Sequence, residues 1–82
     1  MTGDKAAEPR TLRQAREELE RGQPRLKAPL GEWLAYYQRS AALYVEIAEI
    51  DRGHHHECLY WAERERESAD EIAARIRAER ST

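Results

Sequence analysis

Pro29-Leu30-Gly31-Glu32-Trp33-Leu34-Ala35-Tyr36-Tyr37-Gln38-Arg39-Ser40-Ala41-Ala42-Leu43-Tyr44-Val45-Glu46-Ile47-Ala48-Glu49-Ile50-Asp51, followed at once by Arg52-Gly53-His54-His55-His56, is the stretch that decides the fold. Its apolar residues recur at three- and four-residue steps, the period of an α-helix. They form two heptad-spaced rows lying side by side. One runs through Leu30, Leu34, Tyr37, Ala41, Tyr44 and Ala48, the other through Trp33, Tyr36, Ser40, Leu43, Ile47 and Ile50. A single neighbouring helix covers one stripe of about 100°, so two rows ask for more than one neighbour.

Working outward, Pro29 suits the first position of this helix, because its missing amide hydrogen has no partner there anyway. At the other end Gly53 is the only nearby breaker, and the sequence places it as the left-handed residue that closes the helix. A further helix then begins near His54 or His55 and runs to about Arg80. Its apolar row is Cys58, Ala62, Glu65, Ala69, Ile72 and Ile76, with Leu59, Trp61 and Ala73 on the flanks. So short a connection between two long helices forces an antiparallel hairpin.

On the amino-terminal side, Thr11-Leu12-Arg13-Gln14 reads as a capping box in which the Thr11 hydroxyl takes the Gln14 amide. It opens a short helix through Leu12, Ala15 and Leu19 that ends at Gly22. Residues 1–10 are polar, contain a proline and show no period, so they read as a disordered tail ahead of one helical domain, 11–82. The expected helices are about 11–21, 29–51 and 55–80. No alternating run supports a strand. The fold class is therefore all-α: a short amino-terminal helix and a long antiparallel helical hairpin, expected to dimerise into a four-helix bundle.

Composition narrows the function. The chain has 82 residues, short enough that association often supplies missing core. Charged residues make up 37% of it, yet 14 Lys and Arg nearly balance 16 Asp and Glu, for a net charge of −2. Nucleic acid and anionic membranes call for a basic excess, so neither is an expected partner. The single cysteine, Cys58, excludes an internal disulfide and fits a reducing cytoplasm. The amino-terminus has no apolar core region of a secretory signal, and no apolar run nears the roughly 20 residues of a membrane span. A cytoplasmic location is expected.

The expected function is that of a small, non-enzymatic interaction or regulatory module. It would associate with a second copy of itself, and with other proteins, through Trp33, Tyr36, Leu43, Ile47 and Ile50. Merely forming a homodimer core would account for the same residues. The alternative is a protein that binds zinc or another late transition metal through His54, His55 and Cys58, because imidazole and thiolate are good ligands for such ions. A helix start with half-buried histidines explains the same cluster without metal. A di-iron centre is disfavoured because no Glu has a His three residues later. The run Glu63-Arg64-Glu65-Arg66-Glu67 reads as a solvated face, apart from Glu65, which falls on the apolar row.

The segment Glu46-Ile47-Ala48-Glu49-Ile50-Asp51-Arg52-Gly53-His54-His55-His56-Glu57, with Tyr60-Trp61-Ala62, resembles short uncharacterised helical proteins of actinobacteria. The resemblance covers the central half of the chain and implies no activity. A weaker likeness of Gly53–Cys58 to the turn of a tetratricopeptide repeat fails at Glu46, Glu49, Ala62, Glu65 and Asp70, and there is no second copy.

Overall fold

In the computed structural model, which describes residues 8–81, the chain forms three α-helices and no strand among those residues. They are α1 (Leu12–Arg21), α2 (Leu30–Ile50) and α3 (His55–Ser81), with one 3-10 turn, Arg52–His54, between α2 and α3. The expected disordered tail falls for residues 1–7 outside the described residues; Glu8–Arg10 are not helical.

Local chemistry sets these boundaries. Thr11 is extended, and its Oγ1 accepts the Gln14 amide at 3.1 Å, which starts α1 as the capping box requires. The Gln14 side chain reaches one residue further back than the standard box and takes the Arg10 amide at 2.9 Å. Gly22 ends α1, its amide shared between the Glu18 and Leu19 carbonyls. Pro29 stands just before α2 rather than as its first residue, and its carbonyl receives the Glu32 amide at 3.0 Å.

The turn between α2 and α3 departs from the expectation. Gly53 does not close α2, and no described glycine has positive φ. Asp51 closes it instead, leaving the helix at φ −97°, ψ 75° while its amide still reaches the Ile47 carbonyl at 2.8 Å. The Asp51 carbonyl then accepts the His54 amide at 2.9 Å, and a single 3-10 turn reverses the chain. No residue of this reversal has positive φ, so no left-handed residue is needed.

The hairpin packs the first apolar row of α2 onto α3, burying Ala41, Tyr44 and Ala48 opposite Cys58, Ala62 and Ala69. Large rings set against alanines interdigitate well. α1 lies over the second row, and Leu12, Ala15 and Leu19 join Ile47, Tyr36 and Cys58 in one core cluster. Among the described residues the largest fully buried side chains are Ile47, Cys58 and Ser40, so the core is thin. Trp33 pins the connector by donating Nε1–H to the Arg25 carbonyl at 3.1 Å. None of the described helices is long and apolar enough to cross a membrane.

Candidate functional site

The histidine turn is built from three distinct contacts. Asp51 Oδ2 accepts the Leu12 amide at 3.0 Å and the His54 Nδ1–H at 2.9 Å. The carboxylate can only accept, so the proton sits on His54 Nδ1. His55 Nδ1 lies 2.9 Å from the Ala48 carbonyl and 3.2 Å from Arg52 Nη1. These two contacts exclude each other, because the carbonyl requires a proton on that nitrogen and the guanidinium a lone pair. The shorter one prevails: it satisfies a carbonyl left open at the end of α2, and Arg52 keeps Glu49 at 3.2 Å. Cys58 points elsewhere, fully buried in the core. Burial, then the nearby Asp51 and Glu57 carboxylates, push its thiol above the ordinary range and disfavour thiolate. His54, His55 and Cys58 thus face three different neighbours. No group of three or more His, Cys, Asp or Glu placed to hold a metal occurs among the described residues.

A second polar feature runs inside the hairpin. Glu65 lies half-buried on the α3 core row, and burial raises its carboxyl above the ordinary value, with the Ser40 hydroxyl and Arg64 acting against the rise. Burial first, and the Glu65 carboxylate among the lesser contributions, push Tyr36, Tyr37 and Tyr44 upward. Ser40 Oγ is fully buried and meets no partner at hydrogen-bond geometry. It lies near enough to the Tyr36 hydroxyl and Glu65 to influence both, but a contact that fails the geometry does not satisfy a buried hydroxyl.

The third feature is the outer side of α2. The five residues expected to form an interface divide there. Ile47 has 0% exposure and Tyr36 8%, so both are buried within the chain. Both join Leu12, Ala15 and Leu19 of α1 in one core cluster. Trp33 and Leu43 are half-buried at the margin of the core, and Ile50 is 37% exposed. Leu43 and Ala42 line a groove of about 510 Å³ between α1 and α2, with Leu19 on the opposite wall and Arg39 and Glu46 at its edges.

Some of the charges elsewhere pair locally. Arg21 pairs with Glu18 at 2.8 Å, Arg13 with Glu17 at 3.5 Å, Arg52 with Glu49, and Arg66 with Glu63, all on their own helix or turn. Among the described residues neither Arg39 nor Glu46 has an ion-pair partner, although the Arg39 guanidinium lies 5.8 Å from the Tyr36 ring centre. Both are exposed and seven residues apart, on one face of α2. Sequence reading overlooked this pair, although its heptad spacing was visible.

Asp51 was also overlooked as a tie between elements. An acidic residue at a helix carboxyl end opposes the helix dipole, which was the available signal that its charge serves something else. α1 gains further attachments from Arg16, which lies 5.0 Å over the Trp61 ring and 3.5 Å from Glu57.

Comparison of the chain with protein-family models, with curated proteins and with solved structures finds no match.

Proposed function

We propose that this chain is a small, non-enzymatic, cytoplasmic helical module that acts by protein association, in the first instance with a second copy of itself. The observation that carries the reading is the outer side of α2. There Leu43 and Ile50 keep apolar surface beside the groove shared with α1, next to Arg39 and Glu46, which form no ion pair among the described residues. The thin core adds support, since domains of this size often complete their burial by association. A dimer would bring two hairpins together as a four-helix core, with α1 of each chain alongside.

Sedimentation equilibrium over a wide concentration range tests the proposal, with Ala42→Glu as the perturbing variant. Ala42 is exposed on the groove margin, so the substitution leaves the monomer fold intact. A wild-type dimer that becomes a monomer in Ala42→Glu, with unchanged helicity, is the expected result. A wild-type protein that stays monomeric at its highest soluble concentration would overturn the self-association.

A further inference from the structure

The outer face of α2 carries a pattern complementary to itself in one direction only, and the geometry points to an isologous dimer with two α2 helices antiparallel and centred between Ala42 and Leu43. This inference rests on the self-association proposed above and specifies its register. Arg39 and Glu46 stand at equal distances either side of that centre. A two-fold axis through it sets Arg39 against the partner's Glu46, and Glu46 against the partner's Arg39. A parallel pair would instead set Arg39 against the partner's Arg39, and like charges there repel.

Steric pattern agrees with the charge pattern. Ala42 and Leu43 lie about 100° apart on the helix, at opposite edges of this face, so the two-fold sets Leu43 beside the partner's Leu43 and the small Ala42 beside the partner's Ala42, where the backbones can approach closely. Ala35, Arg39, Ala42, Glu46 and Ile50 are exposed and Leu43 is half-buried, so the face is accessible without displacing α1. Glu18 and Arg21, on the α1 wall of the groove, already satisfy each other and do not compete for Arg39 or Glu46. Both groups remain at the rim of the contact, where they choose orientation more than they add affinity.

The test compares wild type with Arg39→Glu, Glu46→Arg and the double variant Arg39→Glu/Glu46→Arg, by sedimentation and native mass spectrometry. Helicity and thermal melting serve as fold controls. Each single change creates two like-charge contacts across the axis, and each is expected to weaken the dimer roughly tenfold or more. The double variant restores opposite charges at both contacts and regains the wild-type dissociation constant. An equimolar mixture of the two single variants forms a heterodimer. In it the two substituted side chains, one from each chain, face each other with opposite charge, and the unchanged Glu46 of the first chain meets the unchanged Arg39 of the second. Single variants as strongly dimeric as wild type, or a mixture that forms no heterodimer, would overturn this register while leaving self-association standing. A monomeric wild type overturns the self-association itself, and the register with it.

Discussion

The Leu12 amide, the first N–H of α1, donates to Asp51 Oδ2 at 3.0 Å across 39 residues of sequence. The same carboxylate holds His54, so one side chain joins the start of α1, the end of α2 and the turn into α3. A helix of ten residues is marginal alone and depends on such docking.

That tie gives α1 an acid-sensitive anchor. The Leu12 amide first, then the His54 contact, hold the Asp51 carboxyl below its ordinary value of 3.8. A lowered folded value means that the stabilisation is present above about pH 3.8 and is lost as pH falls through the folded value. The protection factors of the α1 amides, taken against the intrinsic exchange rate at each pH, should therefore fall at acid pH in the wild type. Asp51→Ala should show the lower protection already at neutral pH, and protection equal to wild type would refute the anchoring role.

Gly53 offers a prediction opposite to the one its sequence position invites. Its φ is not positive, and a Cβ added there would meet nothing within 4 Å. Gly53→Ala should therefore leave the fold intact and raise stability by about 0.4–1 kcal/mol, chiefly by restricting the unfolded chain. Chemical denaturation measures this directly. A loss of more than about 1 kcal/mol would mean that the turn does need a left-handed residue.

Ile47 and Ile50 lie on the same apolar row and should respond differently. Ile47 has no exposure, so Ile47→Ala should cost about 2–5 kcal/mol through lost burial and the cavity left behind. Ile50 is 37% exposed, so Ile50→Ala should cost less than about 1 kcal/mol in the monomer. Comparing their urea midpoints at a concentration where the chain is monomeric separates burial by α1 from burial by a partner. Equal costs would place α1 elsewhere.

Ser40 and Glu65 are polar groups within the hairpin seam. Removing the unsatisfied Ser40 hydroxyl, as in Ser40→Ala, should stabilise the chain by about 1 kcal/mol, since alanine also favours the helix. A destabilised variant would show that the hydroxyl has a strong partner after all.

Glu65 should show the opposite pH dependence to Asp51. Its folded value is raised above 4.5, so the folded state binds the proton more tightly. Stability is therefore full below about pH 4.5 and falls as pH rises through the folded value. Glu65→Gln removes this cost. Its advantage over wild type should be absent in acid and present at neutral pH, as read from denaturant midpoints in the two buffers. A pH-independent difference would assign the effect to packing.

The sequence by itself determined the local structure. Thr11 with Gln14, Pro29 and the helical period placed all three helices within a residue of their expected ends, because caps and periodicity act within a few residues of each boundary. It also marked the two rows on α2 and the misfit of Glu65 on an apolar row. The tertiary structure alone decided which rows are covered. Ile47 and Tyr36 belong to the monomer core because α1 docks over them, and that docking depends on Asp51, whose partner is 39 residues away. It also decided that His54 and His55 close helix ends and turns. The period of a helix says which residues share a face. What lies against that face is set by long-range contacts, whose free energy depends on the whole assembled chain rather than on any single segment of it.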